Sequence, residues 1–316
     1  MQRKKSKKVG ADAENVSALF TQNADLKIKI DTSWRLQIYM KILFISLGCD
    51  KNLVDTEVML GLLASRGYEM TDDEQEADII VINTCCFIHD AKEESIQNIL
   101  EMAELKKEGK VKALIVTGCL AERYKDEILE EIPEVDEVLG TTAYDKILDA
   151  VDAALEGNQE VILSDIDALP LPETKRLVTT GGHFAYLKIA EGCDKHCTYC
   201  IIPKVRGNYR SVPMERLVNE ARELAEQGVK ELILVAQETT LYGKDLYGEK
   251  SLHKLVRELC NISGIRWIRI LYCYPEEITD ELIQVMKEEP KVCHYLDLPI
   301  QHANDTILKR MGRRTT

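Results

Sequence analysis

Nowhere in these 316 residues does an apolar run approach the ~20 residues that a helical membrane span requires. No membrane partner is therefore expected. A signal-peptide pattern is also lacking, which points to a cytoplasmic, reducing setting. There, ten cysteines read as metal ligands and reduced thiols rather than disulfides. The Gly-rich phosphate loop of dinucleotide-binding proteins is missing too, and Gly181, Gly182, Gly192 and Gly207 stand apart as turn residues. What the sequence does hold is 45% hydrophobic and 30% charged residues, a globular balance with length for about two domains.

The net charge of −13 is unevenly spread. Residues 1–39 carry eight Lys/Arg against four Asp/Glu; residues 40–157 carry 11 against 27; residues 158–316 carry 22 against 23. The middle segment would repel a phosphate backbone and attract a basic protein. Solvated helix faces explain much of that charge as well.

Residues 1–39 lack the periodicity of a packed element and read as a basic, poorly ordered extension, with Met40 as the natural start. From there strands alternate with helices: KILFISLG, a helix from Asn52 to Arg66, ADIIVINT, a helix over 91–108, KALIVTG, a helix over 120–131, a short VLG and a helix over 144–156. Continuous apolar strands between helices indicate an α/β fold with a parallel sheet covered on both faces. A polar stretch with Pro170, Pro172, Gly181 and Gly182 makes 158–182 the linker. A second alternation fills 183–316: FAYLKIA, ELILVAQ, WIRILYC and HYLDLPIQ, each followed by a helical segment. Four such units in a row suggest a parallel (β/α) barrel, here partial and ending early.

Six cysteines form two triplets. Cys193, Cys197 and Cys200 lie in EGCDKHCTYC with C-x3-C-x2-C spacing. Three thiolates on one tight loop can hold three irons of a cubic 4Fe-4S cluster and leave the fourth open to a substrate or cofactor. A zinc knuckle would need a fourth ligand. His196, next to Cys197, fits a shared tetrahedron poorly. Cys49, Cys85 and Cys119 each follow a strand, after ISLG, VINT and IVTG. In an open parallel sheet those strand ends share one rim, where ligands bind, so three separate cysteines make a second three-thiolate site. Cys86 competes with Cys85, but only one of two neighbours should face the site. Cys260, Cys273 and Cys293 sit in or beside regular elements and read as core.

EGCDKHCTYCIIP resembles the cluster loop of radical S-adenosylmethionine (SAM) enzymes, and the upstream cysteine-bearing domain resembles that of their methylthiotransferase family. SLGCDKNLVDTE, INTCCFIHDAKEES, LYCYPEEITDELI and YLDLPIQHANDTILKRMGRRT are similar to the branch that modifies ribosomal protein S-twelve, with KNLVD after Cys49 as the separating mark. The resemblance runs over 40–316. Departures are Cys86, where a small or polar residue is common, and the missing remainder of the barrel with its small β-barrel domain. It implies two 4Fe-4S clusters, one on each triplet, with SAM on the second. The chemistry implied is radical methylthiolation of an aspartate β-carbon. Partners implied are ribosomal protein S-twelve or the small ribosomal subunit, and a one-electron donor such as flavodoxin or ferredoxin.

Gln237 and Glu238 end ELILVAQ, and Gln301 and His302 follow LDLPI, so they should face the barrel mouth. Tyr199, Gln237, Gln301 and Arg210 are the candidate SAM contacts, and Arg206 and Arg210 could meet a carboxylate or phosphate. Two other functions remain open: a methylthiotransferase acting on a tRNA adenosine of the position-37 type, and a non-enzymatic iron-sulfur protein. The acidic domain disfavours direct tRNA binding.

Overall fold

The computed structural model describes residues 40–170, 172–173 and 175–314. The expectations for residues 1–39 lie outside the described residues. The first six strands form one all-parallel sheet: β1 (Lys41–Ser46), β2 (Glu69–Thr71), β3 (Ile79–Thr84), β4 (Ala113–Gly118), β5 (Glu137–Leu139) and β6 (Glu160–Ile162), in the order β2-β1-β3-β4-β5-β6. The helices between them are α1 (Asp50–Ser65), α2 (His89–Lys107), α3 (Cys119–Glu131) and α4 (Ile147–Leu155).

Every residue of β3 and β4 is buried. Period-2 alternation sends Ile80, Ile82, Leu114 and Val116 to one face, where they meet Ile99 and Met102 of α2 and Leu120 of α3. Ile79, Val81, Ala113 and Ile115 go to the other, against Met59 and Leu63 of α1 and Ile147 and Val151 of α4. Helices on both faces explain why these strands read as unbroken apolar runs. The chain moves outward from β1 to β2 and then returns to place β3 on the other side of β1. The carboxyl ends of β1 and β3 therefore flank the topological switch point, the usual ligand crevice of an open α/β sheet.

Two three-residue strands, β2 and β6, went unread in the sequence. The sheet reaches Ile162, inside the stretch taken for linker. That stretch is also strapped down. Arg176, 5% exposed, reaches Glu57 of α1 at 3.1 Å and Glu220 at 2.8 Å. Thr179 gives its N–H (2.7 Å) and hydroxyl (2.9 Å) to the same Glu57 carboxylate.

The second sheet is also parallel, in the order β12-β11-β10-β7. Its strands are β7 (Phe184–Lys188), β10 (Glu231–Val235), β11 (Trp267–Ile270) and β12 (Val292–Leu296). Helices α6 (Met214–Glu226), α8 (Leu252–Cys260) and α9 (Asp280–Glu288) cover one side and share a single apolar core with the strands. Sequential neighbours with helical crossovers make this the start of a (β/α) barrel. Four short elements complete it: β8 (Ala190–Glu191), α5 (Ile202–Arg206), β9 (Arg210–Ser211) and α7 (Lys244–Tyr247). A last helix, α10, spans Asp305–Arg310. The antiparallel pair β8–β9 pinches the base of the loop that carries the second cysteine triplet. No helix among the described residues is long and apolar enough to cross a membrane.

Candidate functional site

The three separate cysteines arrive on three adjacent strands. Cys49 caps the N-terminus of α1, Cys85 follows β3, and Cys119 opens α3 after β4. Two glycines make the approach possible. Gly48 (φ 91°) leaves no room for a β-carbon, which would lie 2.6 Å from Cys85 Cβ and 2.9 Å from its Sγ. At Gly118 (φ 93°) a β-carbon would lie 2.3 Å from Asn83 Oδ1. Cys86 turns away, its thiol 3.2 Å from the Cys119 carbonyl inside the apolar cluster of that face. Of the two neighbours, Cys85 faces Gly48 and the crevice.

Asn52, one helical turn after Cys49, ties this rim together. Its amide donates to the carbonyls of Leu47 (3.0 Å) and Thr84 (2.9 Å), which precede Gly48 and Cys85. Its Oδ1 lies 4.0 Å from Cys49 Sγ and 3.8 Å from Cys119 Sγ. All ten cysteines are free. Burial pushes the Cys119 thiol up to about 12 despite the Arg206 guanidinium beside it, and burial raises Cys85.

Arg206 ends α5, just past the second cysteine triplet, and is 1% exposed. Its Nε–H points at Cys119 Sγ (3.3 Å), its Nη1 meets Asp55 (2.8 Å) and Glu191 (3.1 Å), and its Nη2 donates to Asn52 Oδ1. Lys188, at the end of β7, bonds the same Asp55 and lies 2.8 Å from Glu191. Gln237 donates to the other Glu191 oxygen at 2.5 Å. Two cations and two carboxylates thus share one buried cluster that joins the sheets. A second bridge lies at the start of α1. Tyr272, past β11 with φ 60°, donates its hydroxyl to Asp50 (3.1 Å), and Lys51 Nζ sits 3.2 Å from the Tyr272 ring centre.

The triplet loop follows β8. Gly192 (φ 77°) backs onto Asn208, whose carbonyl oxygen would be 2.0 Å from a β-carbon there. The Cys193 N–H donates to Gly207 O (3.1 Å), Cys200 N–H to Cys197 O (2.9 Å), and Thr198 N–H to Met311 O (3.0 Å). All three thiols are partly exposed, and burial pushes Cys193 up to about 11 and raises Cys200. Among the described residues no Cys, His, Asp or Glu trio closes on one point as the ligands of a single ion would. A cubic cluster spreads its thiolates over separate iron corners. Such a cluster is anionic, and both sets suit it. The first has a buried guanidinium and two helix N-termini beside the thiols; the second has three partly exposed thiols on one loop.

The other sequence candidates fall in several places. Tyr199 is exposed within the loop, and His196 is exposed with φ 48°. Arg210 is held by the Arg206 carbonyl (3.2 Å) and Asp167 (3.5 Å). Arg206 meets internal carboxylates and a sulfur. Gln237 lies at the end of β10 with a buried Oε1 that no protein group satisfies. Glu238 is buried beside it, while Gln301 (φ 66°) and His302 are exposed beyond β12. Cys260 and Cys273 are buried in the barrel core, and Cys293 is half-buried. Asn52, Asp55, Lys188 and Glu191 were missed as site residues. For Asn52 and Asp55 the signal was a run of polar residues in the first turns of α1, read as a branch mark rather than as a buried face; Lys188 and Glu191 carried none.

Comparison with known proteins defines the class first. Residues 187–316 match the Radical SAM superfamily, and residues 41–140 match the Uncharacterized protein family UPF0004. The chain therefore carries a radical SAM domain preceded by a UPF0004 domain. It is 71% identical over 276 residues to the ribosomal protein uS12 methylthiotransferase RimO of Lachnoclostridium phytofermentans, covering 87% of this chain and 63% of that protein. It is 53% identical over 277 residues to the enzyme of the same name from Clostridioides difficile, covering 88% and 62%. The chain thus spans less than two thirds of the length of these relatives. In fold it resembles the radical SAM methyltransferase TsrM from Kitasatospora setae (TM-score 0.58, 13% identity, 87% of this chain and 63% of that one). It also resembles the cobalamin-dependent SAM radical enzyme OxsB (TM-score 0.59, 12% identity, 88% and 46%).

Proposed function

We propose that this chain is the cluster-bearing part of a methylthiotransferase that acts on an aspartate of ribosomal protein uS12 in the cytoplasm. The observation that carries the reading is the joining of the two cysteine sets. Asn52 and Arg206 link the rim of Cys49, Cys85 and Cys119 to the domain that holds Cys193, Cys197 and Cys200. The high identity to proteins named for that activity supports the substrate.

Each triplet would hold one 4Fe-4S cluster. When bound, these groups and SAM supply one-electron chemistry able to break an unactivated C–H bond and sulfur to replace the hydrogen. The protein's part is to hold and orient. Gly48, Gly118 and Asn52 set the first thiols; the β8–β9 pinch and the Thr198 bond set the second. Gln237, with its unsatisfied buried oxygen at the barrel mouth, would meet a polar group of SAM, with Tyr199, Gln301 and Arg210 as further contacts. A flavodoxin- or ferredoxin-type protein would supply the electron, and the acidic first domain favours a basic protein substrate over tRNA.

Anaerobic reconstitution should give about eight irons per chain, and replacing Cys193, Cys197 and Cys200 by Ala should remove about half. Intact-mass measurement of uS12 from a deletion strain should show loss of one methylthio group. If that group vanished from tRNA instead, the adenosine reading would replace this one. Iron binding without any SAM cleavage after dithionite reduction would leave an iron-sulfur protein that is no enzyme.

A further inference from the structure

We infer that Arg206 is a positioning residue for the first cluster, raising its reduction potential through an N–H bond to the Cys119 sulfur. This rests on the reading above that Cys49, Cys85 and Cys119 hold a cluster. Arg206 stands on the SAM-domain side, 87 residues from Cys119 in sequence, and is fully buried. Its partners divide by direction. Nη1 meets the two carboxylates, and Nη2 meets Asn52 Oδ1. Nε–H points at Cys119 Sγ at 3.3 Å.

Asp55 and Glu191 already balance Arg206 and Lys188, so a thiolate-bound cluster enters a network with no net charge of its own. An N–H directed at a ligand sulfur favours the reduced, more negative cluster and raises its potential. The same guanidinium holds Asn52, which staples the carbonyls ahead of Gly48 and Cys85. One side chain from the second domain thus fixes the geometry and the electronics of the first site. A lysine would keep the charge but lose the planar fork and its Nε–H.

The test uses the reconstituted chain with Cys193, Cys197 and Cys200 changed to Ala, so that only the first cluster remains. If this parent holds no cluster, the reading of the cysteines fails. If it does, EPR-monitored redox titration compares it with Arg206→Lys and with the charge-balanced double variant Arg206→Gln/Asp55→Asn. The expected result is a lower potential in both variants. In the double variant the reduced-to-oxidised ratio at a fixed potential should fall at least tenfold, which is about 59 mV for one electron. A potential unchanged in both variants would overturn the inference. So would loss of iron from both, which would make Arg206 a folding residue only.

Discussion

At the scale of single residues, the cysteines were legible because their positions follow from strand ends, and strand ends follow from apolar runs. Of the neighbours Cys85 and Cys86, it is Cys85 that lies against Gly48. Asp55, Lys188 and Glu191 were not legible, because Lys188 and Asp55 are 133 residues apart and no local period links them. Glu137 was also invisible as a special residue. It lies fully buried in β5, pairs across the sheet with Glu160, and neither carboxyl oxygen has a protein partner. Burial, reinforced by Glu160 and Asp136, pushes it up to about 7 from its ordinary 4.5. The unfolded chain releases this proton near pH 4.5, while the folded one keeps it to about 7. Stability therefore falls as pH rises through that window and is level above it. Glu137→Gln should raise stability at pH 8 by on the order of 1 kcal/mol and leave it unchanged at pH 4, measured by urea unfolding.

At the scale of elements, the long strands were read well because burial on both faces removes every polar interruption from β3 and β4. Three-residue edge strands such as β2 and β6 carry too few side chains for any period to show. The turns after β1 and β4 depend on glycine for a definite reason, since φ is near 90° and a sulfur or an amide oxygen fills the space a β-carbon would take. Gly48→Ala or Gly118→Ala should therefore cost about 1–3 kcal/mol and empty the first site. Iron content should fall by about half, with the signal of the second cluster kept. Gly109 (φ 73°) is the control: its surroundings are open, so alanine there should cost about 1 kcal/mol and leave iron content unchanged.

At the scale of the whole molecule, two parallel sheets were expected, and among the described residues two are found, joined more firmly than a flexible linker allows. Composition marked 158–182 as a break, but its Arg176 is locked between Glu57 of α1 and Glu220 of α6. Proline and glycine there describe a strap rather than a hinge. Arg176→Ala leaves Glu57 buried with one fewer partner, at a cost of about 3–5 kcal/mol. Differential scanning calorimetry should show the change as a lowered midpoint. If the midpoint did not move, the strap would contribute nothing to the joining.

The bond from Thr198 N–H to Met311 O, with the Thr198 hydroxyl 3.2 Å from Arg310 O, sets an order in time. As the ribosome extends the chain, strands β1 to β6 are complete long before residue 311 exists. The loop bearing Cys193, Cys197 and Cys200 gains its last support only when α10 has left the exit tunnel. Support for that loop thus comes only after residue 311 has been made, whereas the sheet that presents Cys49, Cys85 and Cys119 can assemble early and wait only for Arg206.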